Sequence, residues 1–179
     1  IIIIGGVEMN FTTKERYLLE DQKNQEKLCV QKYSSYAQLA SDPQLKSIFQ
    51  QLAQKEQEHY NTIDQLLKGQ MPSMGQGSQG GGQNQQMQMQ SGGQQMQSGG
   101  QQQSGQQTGQ QTSFTNSDKD LCNDMLVTEK YVSSIYDTSI FEFRDPQVRN
   151  ILNHVQKEEQ QHGETLFKYM ESKGMYNVK

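Results

Sequence analysis

One constant offset, the one that carries His59 onto His162, superimposes the two halves of this chain without a gap. It also carries Glu56 onto Glu159, Asp42-Pro43-Gln44 onto Asp145-Pro146-Gln147, Tyr33 onto Tyr136, Glu26-Lys27 onto Glu129-Lys130, and Asp21 onto Asp124. Matches spread over most of both halves mark an internal duplication. Any structure assigned to one half is thereby expected of the other.

Each half reads as a helical hairpin. In the first, residues 9–69, the residues Leu19, Cys29, Val30, Tyr33 and Ala37 form an apolar stripe at helical spacing. Asp42 then supplies a cap, and Pro43 suits the first turn of a second helix. That helix carries Leu45, Ile48, Phe49, Leu52, Ile63, Leu66 and Leu67 and ends near Gly69. In the second hairpin, residues 113–179, the stripe of Cys122, Met125, Leu126, Val132, Tyr136 and Ile140 precedes the break at Asp145-Pro146. Val148, Ile151, Leu152, Val155, Leu166 and Tyr169 follow, with an end at Gly174. The expected fold is all-α, a four-helix bundle of two duplicated hairpins.

Residues 70–112 are almost entirely Gln, Gly, Ser and Met, in loose units such as QQMQSGG, and read as a disordered low-complexity linker. A Gly-rich chain of roughly 45 residues has an end-to-end distance of about 35–40 Å. A helix of about 26 residues is about 39 Å long. The linker can therefore run the length of the bundle and leave the second and third helices parallel, although a direct hairpin is also compatible with its length.

Within this framework six polar residues fall on apolar seams. Glu56 and His59 lie between Leu52 and Ile63 at helical spacing, and Glu159 and His162 lie between Val155 and Leu166. Glu26 shares a face with Leu19, Val30 and Tyr33, and Glu129 with Met125, Val132 and Tyr136. Glu58 and Glu158 lie off the seam and are expected to be solvated, as is His154. Burying four carboxylates bare would cost several kcal/mol per unpaired ion, comparable to the stability of a small domain. Two divalent cations would neutralise them and accept both imidazoles. One Glu from each of two helices plus Glu-x-x-His from each of the other two is the donor set of carboxylate-bridged dimetal bundles. Mixed oxygen and nitrogen donors suit two Fe or Mn ions, with zinc also compatible. The alternative is a metal-free polar core of Glu–His pairs and protonated acids. Tyr33 and Tyr136 are either hydrogen-bond donors to these carboxylates or ordinary seam aromatics.

The net charge of -4 and pI near 5.4 offer no basic stripe for nucleic acid, and no run is long and apolar enough to span a membrane. Cys29 and Cys122 lack metal-type spacing and read as buried free thiols. Ile1 to Glu8 lack the features of a secretion signal. They read as a mistranslated leader: AU-rich Ile codons, a GGAGG at Gly5-Gly6, and a start at Met9. The other reading is a sticky, β-prone tail.

The order Glu26, Glu56-x-x-His59, Glu129, Glu159-x-x-His162 resembles the ferritin-like superfamily, which includes rubrerythrins, bacterioferritins and manganese catalases. The stretch EDQKNQEKLCVQKYSSYAQLASDPQLKSIFQQLAQKEQEHYNTIDQLL is similar to the spore coat protein F (Coat F domain) family of endospore-forming bacteria. The resemblance covers both hairpins. It implies a ferritin-like bundle in the spore coat, made in the mother-cell cytoplasm, with other coat proteins or further copies of itself as partners. The Gln-rich linker would then be adhesive or cross-linked, and its Met residues either oxidant scavengers or flexible filler. The resemblance also implies an alternative, a dimetal oxidoreductase acting on peroxide or O2. The chain departs from rubrerythrins in having two cysteines where they carry a four-cysteine iron site, and in showing no clear seventh carboxylate.

Overall fold

The computed structural model describes residues 10–72 and 117–176. The leader expected at 1–8, and the linker expected at 70–112 from residue 73 onward, lie outside the described residues. Four α-helices are present: α1 (Thr13–Leu39), α2 (Pro43–Leu67), α3 (Asp118–Glu142) and α4 (Pro146–Ser172), with no strand among the described residues.

The helix boundaries follow from local chemistry. Thr12 and Glu15 form a reciprocal capping box at the start of α1. Asp42 caps α2 by accepting from the N–H of Gln44, and Asp145 caps α4 by accepting from that of Gln147, each at 2.8 Å. The two caps have nearly the same backbone angles, and each is followed by a proline in the first helical turn, so the duplication holds at the level of dihedrals. The turns that end α2 and α4 carry Gly69 and Gly174 at φ +73° and +67°, the left-handed conformation glycine adopts without a Cβ penalty.

Two repeat-related carboxylates fix the topology. Glu15, in the first turn of α1, accepts the backbone N–H of Arg144 at 3.0 Å, in the turn between α3 and α4. Its counterpart Asp118, which opens α3, accepts the N–H groups of Ser41 and Asp42 at 2.7 and 2.9 Å, in the turn between α1 and α2. Each hairpin thus ties its first helix to the other hairpin's turn. Lys14–Glu142 at one end and Lys32–Asp124 at the other make α1 and α3 antiparallel. Tyr169 and Lys173, at the end of α4, reach Asp42 at the start of α2, so these two are antiparallel as well. Helices α2 and α3 are consequently parallel, and residues 72 and 117 lie toward opposite ends of the bundle. The long-crossover arrangement holds, and a direct hairpin between α2 and α3 does not.

The core has two apolar clusters. One contains Tyr33, Leu45, Phe49, Leu52, Met125 and Leu166. The other contains Leu19, Ile63, Val132, Tyr136, Leu152 and Val155. The offset maps members of one onto members of the other (Tyr33 to Tyr136, Phe49 to Leu152, Leu52 to Val155, Ile63 to Leu166), as a pseudo-twofold bundle requires. None of the helices is long and apolar enough to cross a membrane.

Glu15 is only 3% exposed, and burial works against its charge. The backbone N–H groups of Arg144 and Thr12 and the Arg144 side chain outweigh that effect and hold its carboxyl down at about 2. Replacing Glu15 by Ala removes the capping box and the tie to the opposite turn together. It should cost about 2 kcal/mol in denaturant unfolding, whereas Glu20→Ala on the exposed side of α1 should change little.

Candidate metal centre

The seam geometry brings all six expected residues to one place. Glu26 from α1, Glu56 and His59 from α2, Glu129 from α3, and Glu159 and His162 from α4 are each at most 4% exposed. Donor atoms of Glu56, His59, Glu159 and His162 all lie within 4.8 Å of one another. The two imidazole rings stack at 5.4 Å between centroids.

The oxygens are divided by the pseudo-symmetry. Nδ1 of His59 lies 2.8 Å from Oε1 of Glu159, 3.3 Å from Oε2 of Glu56 and 3.7 Å from Oε2 of Glu26. Nδ1 of His162 lies 2.9 Å from Oε1 of Glu56, and 3.8 Å from Oε2 of both Glu129 and Glu159. Glu56 and Glu159 therefore each present one oxygen to each histidine. Glu26 faces only the His59 side, and Glu129 only the His162 side.

The second oxygens of the unshared glutamates are held by tyrosines across the bundle. The Tyr136 hydroxyl donates to Oε1 of Glu26, and the Tyr33 hydroxyl donates to Oε1 of Glu129. Burial and the adjacent carboxylates push both phenols well above their ordinary value, so they remain donors. The two tyrosines are thus seam aromatics and carboxylate donors at once.

Glu158 corrects the sequence reading. It is half-buried, and its carboxylate meets Nε2 of His59 at 3.0 Å, reaching from α4 to α2. His154, exposed as expected, flanks it at 3.4 Å. Glu158 holds the outer nitrogen of His59 and leaves Nδ1 facing the carboxylates, the support that metal-binding histidines commonly have. The repeat contains the signal: position 158 corresponds to Lys55, which instead pairs with Glu58 on its own helix. Among the described residues no equivalent carboxylate backs His162. Gln22, one turn from Glu26 on the same face of α1, is also fully buried with both amide atoms unpartnered, and the seam pattern did not single it out. Cys29 and Cys122 are buried free thiols, and burial raises both.

The fit to cations can be judged from what the donors lack. Among the described residues, Oε2 of Glu26, Oε2 of Glu56, Nδ1 of His59, Oε2 of Glu129 and both carboxylate oxygens of Glu159 are buried without a well-aligned hydrogen bond, although Nδ1 of His59 and Oε1 of Glu159 lie only 2.8 Å apart. All belong to the converging groups, and all are atoms a hard or borderline divalent cation accepts. Buried polar atoms are almost always paired. So many orphans aimed at one volume describe a cation site better than a hydrogen-bonded core. A cavity of about 370 Å³ between α3 and α4 is lined in part by Glu129 and Glu159, whose inward oxygens stay shielded from solvent.

Without a cation, the carboxylates compensate by holding protons. Burial, with the neighbouring carboxylates, raises Glu26 and Glu159 from 4.5 to about 7 and raises Glu56 and Glu129 as well. Burial opposes charge on His59, but its contacts with Glu158, Glu159, Glu26 and Glu56 outweigh that and raise it; burial lowers His162. A carboxyl raised in the folded state contributes stability that is present below its unfolded value and lost as pH rises through its folded value. The metal-free protein should therefore lose thermal stability between about pH 5 and pH 8, on the order of 10 °C, well above the range where Glu15 and Asp42 titrate. Melts that rise or stay level across this range would contradict the burial of these groups as free acids.

The second hairpin, residues 117–179, matches the family model of the Coat F domain. No curated protein and no solved structure matches the chain. The match begins at Ser117, the cap of α3, and takes in Glu129, Glu159 and His162. The second hairpin is thus similar to a Coat F domain, and the first hairpin is its internal repeat.

Proposed function

We propose that this chain is a structural protein of the spore coat whose ferritin-like bundle closes around a centre of two Fe or Mn ions. The Coat F domain supports the coat assignment. The orphaned buried donors of Glu26, Glu56, His59, Glu129 and Glu159 carry the metal assignment. Glu26 and His59 would hold one ion, Glu129 and His162 the other, with Glu56 and Glu159 shared. Bound, the ions supply the positive charge that lets four buried carboxylates ionise. Tyr136 and Tyr33 orient Glu26 and Glu129, and Glu158 fixes the His59 ring. A bundle clamped from all four helices suits a coat protein that must persist.

For assembly with neighbouring coat proteins or with copies of itself, α3 offers Val127, Tyr131 and Phe141, all large apolar side chains left exposed. The Gln-rich stretch at 70–112 would add an adhesive or cross-linked surface. A second reading, a dimetal oxidoreductase acting on peroxide or O2, is favoured by one observation: Glu129 and Glu159 help to line the α3–α4 cavity.

Protein purified anaerobically with Fe and Mn supplied should contain about two metal ions per chain by plasma mass spectrometry. The Glu56→Ala/Glu159→Ala double variant should contain none. Glu158→Gln should keep the fold and weaken metal affinity by about 10–100-fold. Metal-free wild-type protein under these conditions would leave a proton-compensated scaffold and remove the metal assignment.

A further inference from the structure

The duplication supplies an internal control for access to the centre. On the α3–α4 face, the cavity of about 370 Å³ runs past Leu126, Gly163 and Phe167 to Glu129 and Glu159. The equivalent α1–α2 face has a depression of about 310 Å³ lined by Lys27, Val30, Gln57 and Tyr60, among others. By the repeat, these four correspond to Lys130, Ser133, Gln160 and Gly163, all of which line the first cavity. The two are therefore the same groove seen twice. Only one is bordered by glutamates of the centre: Glu129 and Glu159 line the α3–α4 cavity, whereas neither Glu26 nor Glu56 lines the α1–α2 depression.

The difference lies in what fills the groove. Tyr60 stands where α4 has Gly163. Lys23 lies over the Tyr60 ring at 5.2 Å and pairs with Asp64 at 2.5 Å. At the positions of Lys23 and Asp64, the other face carries Leu126 and Phe167. On one face a phenol and an ion pair occupy the groove, and on the other the corresponding positions leave it lined by Leu126 and Phe167. Glycine at 163 has no backbone reason to be there, since it lies inside α4 without a positive φ, where alanine is the better helix former. A Cβ would meet only Leu126 Cδ1 at 3.7 Å and Glu129 Cβ at 3.9 Å, ordinary contacts. What glycine does is keep the groove wall beside Leu126 and Glu129 free of a side chain.

We infer that the centre takes a small exogenous ligand from one side only, through the α3–α4 groove at Gly163, while Tyr60 closes the other side. The ligand class is a neutral or singly anionic species of a few atoms. Leu126 and Phe167 disfavour anything highly charged, and Lys130 lines the same groove. This rests on the two-cation reading above, and deepens it by making the two halves of the centre unequal. The His59 side is backed by Glu158, and the side with Glu129 borders the groove.

The test uses full-length protein loaded with Co(II) for its visible spectrum, titrated with azide, with cobalt content measured on every sample. Azide should shift the wild-type spectrum saturably. Gly163→Ala should bind azide as wild type does, and Gly163→Tyr should bind it at least about tenfold more weakly with cobalt content unchanged. Full cobalt with wild-type azide affinity in Gly163→Tyr would overturn the inference and leave the two-cation reading standing. Wild-type protein that takes up no cobalt would overturn both. Should Gly163→Tyr fail to fold, Tyr60→Gly decides: a second azide-dependent spectral change supports closure by Tyr60, and a wild-type response refutes it.

Discussion

Four glutamate carboxylates, one from each helix, meet at the centre of the bundle, and their mutual repulsion is the constraint that the surrounding structure has to answer. Apolar clusters lie on both sides of them, so solvent cannot screen the charge. The phenol of Tyr136 takes one oxygen of Glu26, and that of Tyr33 one oxygen of Glu129. The remaining oxygens turn inward, toward one another and toward two imidazole nitrogens. That arrangement is stable with protons on the carboxyls or with cations between them. The oxygen and nitrogen donor types are ones that divalent cations accept.

Much of this was legible in the sequence because duplication repeats each signal. A single Glu-x-x-His on a helix means little. Two in register, with Glu26 and Glu129 at matching offsets on partner helices, specify a layer of facing donors. The breaks at Asp42-Pro43 and Asp145-Pro146 were equally readable, since a capping carboxylate before proline fixes a helix start by local chemistry alone. The parallel course of α2 and α3 was not decided by sequence. It depends on Glu15 reaching Arg144 and Asp118 reaching Ser41, contacts between residues far apart in the chain.

The role of Glu158 is hidden in the sequence for a related reason. Helical spacing puts it off the seam of its own helix, and only the close approach of α4 to α2 lets it reach His59. Its mismatch with Lys55 in the repeat was visible, but a mismatch says that two positions differ and not what either touches. The same holds for Gly163 against Tyr60. In a duplicated fold the matching positions carry the architecture. The mismatched ones, Glu158 with Lys55 and Gly163 with Tyr60, are where the surroundings of the shared centre differ between the two halves.

The central claim is that the orphaned oxygens and nitrogens are cation ligands. Anomalous diffraction from crystals grown with Fe or Mn tests it most directly. Two peaks about 3.5–4 Å apart are expected, one beside Glu26 and His59, the other beside Glu129 and His162, with Glu56 and Glu159 between them. No anomalous signal in that volume, with the carboxyl groups paired through shared protons, would contradict it.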